Sequence, residues 1–151
     1  MKYKYFFSIL VIGAVFDQFV KYMVSDHVSL GAGPVVIKGL FSITYTRNAG
    51  AAFGIFTGSN STLMLVSICF LCIVLFYVLR HLEKEIFMQI AAALIAAGAF
   101  GNLIDRMLRG YVVDFFDLKF FSVFNTADIM INAGVVLIVL FYILKNRRLG
   151  S

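Results

Sequence analysis

Apolar residues in this chain are concentrated in four long runs. A membrane-spanning helix needs about 20 mostly apolar residues, because each residue advances about 1.5 Å across a hydrocarbon core about 30 Å thick. Backbone groups inside the hydrocarbon have no water to bond, so runs of this length are expected to be helical. In the third run, Gly98, Gly101 and several alanines form a surface of small residues on which other helices can pack closely. The predicted spans cover residues 5–24, 61–79, 86–105 and 124–144.

Shorter segments between the spans have the pattern of β-strands. β-Branched and aromatic residues dominate 35–37, 41–46 and 111–116, which are too short to cross a membrane. The apolar, glycine-containing stretch Ala49–Phe56 is expected to lie on the membrane surface as a short helix. The predicted fold is therefore an all-α membrane protein. It forms a single domain over residues 1–151, with four transmembrane helices, a small extracytoplasmic β-strand platform and a short surface helix.

The first span is expected to remain as a membrane helix and not to be a cleaved signal peptide. Asp17 and Lys21 interrupt it where the apolar region of a signal peptide would continue, and no clear small-x-small cleavage pattern follows. The lysines and arginines that flank the spans predict the orientation, since cytoplasmic segments carry more of them. One side has seven, namely Lys2, Lys4, Arg80, Lys84, Lys145, Arg147 and Arg148. The other side has four, namely Lys38, Arg47, Arg109 and Lys119, so both termini are predicted to be cytoplasmic.

Composition agrees with a membrane protein. The chain is 62% hydrophobic and 14% charged, whereas soluble domains average about 45–50% and about 25%. These values argue against a soluble enzyme, a disordered chain and a nucleic-acid-binding domain, and the net charge of +5 comes from basic residues at the edges of apolar runs. His27 and His81 have no partner at a metal-binding spacing. Cys69 and Cys72 lie inside an apolar run and are predicted to be packing residues, not a disulfide or redox pair.

Polar and charged residues in and beside the spans gather at one membrane depth. An ionisable group within a span costs at least about 2.5–3.5 kcal/mol, so its presence requires a reason. In the predicted orientation these groups occupy the outer ends of three helices and two outer loops, and the cytoplasmic halves are almost purely apolar. A transporter, the main alternative class, would place such groups near the midplane with access to both sides. The cluster consists of Asp17, Lys21, Asn48, Asn102, Asp105, Arg106, Asp114, Asn125 and Asp128.

The spacing of these residues predicts which of them share a helix face. Asp17 and Lys21 are four residues apart and can form an ion pair. Asn125, Asp128 and Asn132 follow an i, i+3, i+7 pattern and share a face of the fourth helix. Because Asn125 precedes that helix, a capping role is open beside a role in binding.

Carboxylates are the remaining candidates for chemistry. Asp17 and Asp105 each have a basic residue within four positions, whereas Asp114 and Asp128 have no near cation in the sequence apart from Lys119, which could fold back. Two carboxylates held close together in a low dielectric retain one proton between them and can act together as general acid and base. Elimination favours Asp114 and Asp128 as that pair. The alternatives are a helix-start carboxylate for Asp128 and a solvated loop acid for Asp114.

Five short elements in this chain resemble those of bacterial lipoprotein signal peptidase (signal peptidase II). Their patterns are D-Q-x-x-K, N-x-G-A-A-F-G, G-x-x-G-N-x-x-D-R, V-x-D-F and F-N-x-A-D. They occur in the family's order and at the same places relative to the four spans, and together they make the resemblance highly specific over nearly the whole chain. The elements are Asp17–Lys21, Asn48–Gly54, Gly98–Arg106, Val112–Phe115 and Phe124–Asp128.

The resemblance implies an aspartic endopeptidase of the bacterial inner membrane. It implies cleavage of diacylglyceryl-modified prolipoproteins just before the lipobox cysteine, near the outer membrane face, with Asp114 and Asp128 as the catalytic dyad. The implied partners are the lipid-modified signal peptide, membrane lipids and globomycin-type peptide inhibitors, with no nucleic acid. Water is the nucleophile, so no metal or organic cofactor is expected. Substrate-binding or supporting roles are implied for Asn48, Gly50, Asn102, Arg106, Asn125 and Ala127, and a structural polar network for Asp17, Lys21 and Asp105.

Overall fold

The computed structural model describes residues 2–50, 60–83 and 85–149. Within them lie four long helices and three short strands. These are α1 (Lys4–His27), β1 (Val35–Ile37), β2 (Phe41–Asn48), α2 (Asn60–His81), α3 (Ile86–Arg109), β3 (Val112–Leu118) and α4 (Thr126–Leu149).

The four predicted spans and three predicted strands are confirmed. All four helices are long and apolar enough to cross a membrane. They extend past most of the predicted span limits because the limits followed apolar residues, whereas the helical hydrogen bonds continue into polar flanks. The predicted surface helix over Ala49–Phe56 lies almost entirely outside the described residues.

Helix α3 is the central helix of the bundle, and α1, α2 and α4 pack around it. Its small residues make this possible, as the sequence predicted. A Cβ atom on Gly98 would overlap the main-chain carbonyl of Ala127 on α4, and one on Gly101 would overlap the Asp17 carboxylate on α1. The missing side chains therefore bring the three helices close enough for polar groups on α1, α3 and α4 to meet.

The other helices turn most of their apolar side chains outward, as expected for contact with lipid. In α2, only Val78 is buried. Cys69 and Cys72 are free and exposed on this helix. Their predicted role in packing is therefore wrong for the protein interior, because α2 contacts the bundle along a narrow strip and presents both thiols to the surroundings.

The three strands form one antiparallel sheet in the order β1-β2-β3. Tyr45, Val113 and Phe115 form its buried core. The register pairs Thr46 of β2 with Asp114 of β3. Beyond β3, the chain turns back so that Phe124 bridges to the same strand just before α4 begins. The sheet thus holds the end of β2, the middle of β3 and the start of α4 together at one end of the helix bundle.

Candidate active site

A cavity of about 710 Å³ lies where the sheet meets the ends of α3 and α4. Both predicted catalytic aspartates line it, together with five of the six residues predicted to bind or support the substrate. The polar residues of the wall include Asn48, Gly50, Asn102, Arg106, Asp114, Asn125, Asp128 and Asn132.

Of the six residues predicted to bind or support the substrate, Ala127 is the one that does not line this cavity. Its side chain is fully buried, and its main-chain carbonyl lies against Gly98 of α3. Ala127 therefore allows close packing between α3 and the first turn of α4, the turn that carries Asp128.

Asp114 lies in the middle of β3 and is 3% exposed. Two amide groups hold its carboxylate, since Asn48 Nδ2 donates to Oδ2 at 2.9 Å and Asn125 Nδ2 donates to Oδ1 at 2.6 Å. The pKa of Asp114 is raised from 3.8 to about 6 by all its surroundings together. Burial is the largest cause and the charge of Asp128 adds to the rise, whereas the hydrogen bonds from Asn48 and Asn125 and the charge of Lys21 oppose it. The carboxyl group therefore exchanges its proton near neutral pH.

Asp128 lies in the first turn of α4, where its carboxylate belongs to a reciprocal helix cap. The Asp128 main-chain N–H donates to Asn125 Oδ1 at 3.0 Å, and the Asn125 main-chain N–H donates to Asp128 Oδ2 at 3.2 Å. This arrangement fixes the start of the helix and one carboxylate oxygen together. The other oxygen, Oδ1, accepts a hydrogen bond from Asn102 Nδ2 at 3.1 Å. The capping role considered for Asn125 is present, and it coexists with the contact to Asp114.

Two amide side chains link the two carboxylates. Asn125 donates to Asp114, Asn102 donates to Asp128, and Asn125 Nδ2 lies 3.2 Å from Asn102 Oδ1. Lys21 Nζ donates to the same Asn102 oxygen at 2.8 Å. An ammonium group can only donate, so it fixes which end of the Asn102 amide faces Asp128. We call Asn102 and Asn125 the amide bridge.

Asp17 and Asp105 have different partners from those of the cavity pair. Both are fully buried with Lys21, whose Nζ lies 2.9 Å from Asp17 and 3.0 Å from Asp105. Arg109 also pairs with Asp105, and the Thr126 hydroxyl donates to Asp17. The ion pair that the four-residue spacing predicts is present. Across the residues that the structure describes, no lysine or arginine lies within ion-pair distance of either cavity aspartate.

Sequence reasoning missed two parts of this region. Gln18 Nε2 lies within hydrogen-bond distance of the Gly101 carbonyl, Asp17 and Asp105, so it joins α1 to α3. Its position inside the D-Q-x-x-K element was the available signal. The second part is an apolar wall, for which the phenylalanine-rich segment before α4 was the signal. This wall contains Leu118, Phe120, Phe121, Val123, Phe124, Ile129, Ile131 and Val136.

Among the described residues, no group of three or more histidine, cysteine, aspartate and glutamate side chains is arranged to hold a metal ion. The polar side chains that line the cavity are two carboxyl groups, four amides, one hydroxyl group and one guanidinium. Arg106 supplies that guanidinium, and its Nη2 lies 3.4 Å from the Gly50 carbonyl.

The fold and the cavity define a multi-pass membrane protein with paired carboxyl groups at one end of its helix bundle. The family model described as signal peptidase (SPase) II matches residues 9–144. The chain therefore belongs to the signal peptidase II family, a family of aspartic peptidases that remove signal peptides from prolipoproteins. This confirms the family indicated by the five sequence elements.

Individual relatives and solved structures agree with this family assignment. The lipoprotein signal peptidase of Fusobacterium nucleatum is 40% identical over 151 aligned positions, which cover 98% of this chain and 90% of that one. The lipoprotein signal peptidase of Staphylococcus carnosus is 37% identical, with 98% of each chain covered. Two solved bacterial membrane enzymes superimpose with TM-scores of 0.87 and 0.83 at 35% and 36% identity. The first match covers 93% of this chain and 88% of the other, and the second covers 91% of each.

Proposed function

We propose that this chain hydrolyses the peptide bond before the lipobox cysteine of diacylglyceryl-modified prolipoproteins, with Asp114 and Asp128 as the catalytic pair. The observation that carries the assignment is the amide bridge, which joins two carboxylates in one cavity. Among the described residues, neither carboxylate has a lysine or arginine within ion-pair distance. Family membership supplies the reaction class. The chain then acts as a single peptidase domain in the bacterial cytoplasmic membrane.

The proposed reaction needs one proton shared by the pair. The ionised carboxylate takes a proton from water as the water oxygen bonds to the scissile carbonyl carbon, and the protonated carboxyl group gives its proton to the carbonyl oxygen. When the tetrahedral intermediate collapses, the carbon–nitrogen bond breaks and the cysteine nitrogen takes the proton from the carboxyl group that deprotonated the water. The other carboxylate takes a proton back from a hydroxyl group of the intermediate, so the pair again holds one proton. The products are a signal peptide with a free carboxylate and a lipoprotein with a free amino terminus.

Polar groups of the wall are placed to assist this reaction. Arg106 lines the cavity beside both aspartates, and a positive charge there stabilises negative charge that develops on the carbonyl oxygen. Asn48 holds Asp114 from the opposite side to Asn125. Such fixed donors reduce the reorganisation that the reaction requires.

The shape of the cavity supports a membrane-embedded substrate. Its lining continues along α4 from Asp128 to Val136, which is about 12 Å at the usual helical rise. The polar end takes the scissile bond near the outer face of the membrane, and the apolar part takes the signal peptide and the acyl chains. The excess of lysine and arginine in the flanks of the spans supports this orientation, with both termini in the cytoplasm. Globomycin-type cyclic peptides are expected to compete for the same cavity.

Substitution of each aspartate tests the proposal. Asp114→Asn and Asp128→Asn should each lower turnover of a lipid-modified prolipoprotein by about 100-fold or more, the usual contribution of general acid–base catalysis. Cleavage is measured in detergent by the size shift of the substrate. Asp117→Asn is the matched control, because Asp117 lies on the same strand, bonds to Lys119 and does not line the cavity. Near-normal turnover in either cavity variant would overturn the dyad.

A further inference from the structure

Asn132 is a polar residue of the cavity that the reaction described above does not use. It lies on α4 one turn beyond Asp128, within the apolar span, and is exposed. It also lines the cavity, beside Ile131 and Ala133. Placing a polar amide at this depth costs free energy unless its donors and acceptor form hydrogen bonds. The partners of the Asn132 amide therefore matter.

The orientation of the Asn132 amide is fixed by chemistry. Its Nδ2 lies 2.9 Å from the main-chain carbonyl oxygen of Asp128. A carbonyl oxygen can only accept, so the amide nitrogen must be on this side. Within the described part of the chain, Asn132 Oδ1 makes no hydrogen bond. One acceptor oxygen and the second amide hydrogen therefore remain free.

We propose that Asn132 binds the main chain of the signal peptide about two residues before the scissile bond. This inference rests on the proposed function, which places the scissile bond at Asp114 and Asp128. Asn132 is four residues further along α4 than Asp128, which is about 6 Å deeper in the membrane. An extended peptide advances about 3.3 Å per residue, so this depth corresponds to about two residues.

The chemistry of the free groups favours the peptide over the lipid. A peptide unit has one donor and one acceptor, which complement the free oxygen and the free N–H of Asn132. The esters of a diacylglyceryl group have acceptors only, so they leave Asn132 Oδ1 without a partner. The main chain also has the same groups whatever the sequence, which suits an enzyme that must accept different signal peptides.

Steady-state kinetics with modified substrates test this contact. Asn132→Leu keeps the branched shape of the side chain and removes both polar groups. It should raise KM about fivefold to tenfold, as expected for the loss of one or two amide hydrogen bonds. The value of kcat should stay within about twofold, because the contact is made equally before and during the reaction. Val135→Leu is the matched control, since Val135 is exposed on the same helix and does not line the cavity.

The substrates are a lipid-modified prolipoprotein peptide and analogues N-methylated in turn at the first, second and third residues before the scissile bond. In the native enzyme, methylation at the contact position should raise KM by a factor similar to that of Asn132→Leu. The same methylation should have no further effect in Asn132→Leu, because the partner is already absent. If Asn132→Leu does not fold, Asn132→Ala provides the same comparison.

Two results would overturn the contact with the main chain. One is an unchanged KM in Asn132→Leu. The other is an effect that multiplies with methylation at every position, which indicates a purely structural role. If the native chain does not cleave the peptide, or if Asp128→Asn remains active, the proposed function fails instead, so the two failures are distinguishable.

Discussion

Two pairs of aspartates lie at the same end of this helix bundle, and their partners differ. Asp17 and Asp105 are fully buried and share the ammonium group of Lys21. Asp114 and Asp128 line a cavity, and their described hydrogen-bond partners are amides. A nearby cation favours the ionised form of a carboxylate, whereas burial favours its protonated form. The two pairs share a residue type and a membrane depth, so their partners are what distinguishes them.

The two pairs are also connected. Lys21 forms ion pairs with both members of the first pair and, through Asn102, orients the amide bridge of the second. The charged network thus positions the groups of the cavity without reaching the substrate space. Disrupting the first pair should therefore mainly lower the stability of the protein, whereas disrupting the second pair should mainly lower its activity.

The largest expected effect comes from Lys21→Met, which keeps the volume of the side chain and removes the charge. It leaves two buried carboxylates without their shared cation, and breaking a buried ion pair in this way costs about 3–5 kcal/mol. We expect a lower melting temperature in detergent and a fall in activity, because Asn102 also loses its donor.

The matched control is Lys119→Met. Lys119 pairs with Asp117 on the sheet and is 48% exposed, and such surface pairs contribute about 0–1 kcal/mol. Equal melting temperatures of the two lysine variants would contradict a stabilising role for the buried charged network.

A smaller loss of stability is expected for Gly101→Ala. Alanine normally favours a helix by about 1 kcal/mol over glycine. Here the added methyl group would overlap the Asp17 carboxylate, and overpacking of this kind costs about 1–3 kcal/mol. Thermal unfolding measures the net loss. Met107→Ala, at an exposed position of α3, should melt close to the native protein. A stabilised Gly101→Ala variant would contradict the close contact between α1 and α3.

A further expected effect concerns activity and not stability. It is a pH dependence that belongs to the cavity pair alone. Burial raises the pKa of Asp114 to about 6, so this carboxyl group holds a proton below that pH and loses it above. The proposed reaction needs one proton on the pair. The value of kcat/KM, which reports the free enzyme, should therefore fall as the pH rises from 6 to 8 and approach a tenfold loss per unit.

A matched variant sharpens the pH measurement. The Asn48 hydrogen bond lowers the pKa of Asp114, so Asn48→Ala should move the alkaline limb to higher pH by about half a unit to one unit. If kcat/KM of the native enzyme does not change between pH 6 and 8, Asp114 takes no part in the proton transfer.

Much of the fold was predictable from the sequence because each span and strand has a local pattern. The Asp17–Lys21 pair was predictable for the same reason, since its spacing on one helix defines the contact. The amide bridge was not, because it depends on how α3 and α4 pack and on the register that places Asp114 beside the start of α4.

Arg106 illustrates the same limit. The sequence places it next to Asp105, yet successive residues on a helix point in different directions. Asp105 is paired with Lys21 and Arg109, whereas Arg106 turns to the cavity. Adjacency in the sequence therefore does not define a contact here, and the rotation of α3 in the bundle decides which partner each side chain meets.

The reciprocal cap at the head of α4 has a consequence for the behaviour of the enzyme on warming. The hydrogen bonds that begin this helix also hold the carboxylate of Asp128. Helix ends fray at lower free energy than the whole molecule unfolds. Heat inactivation should therefore precede the loss of helical signal, and it should reverse on cooling as long as the bundle stays assembled.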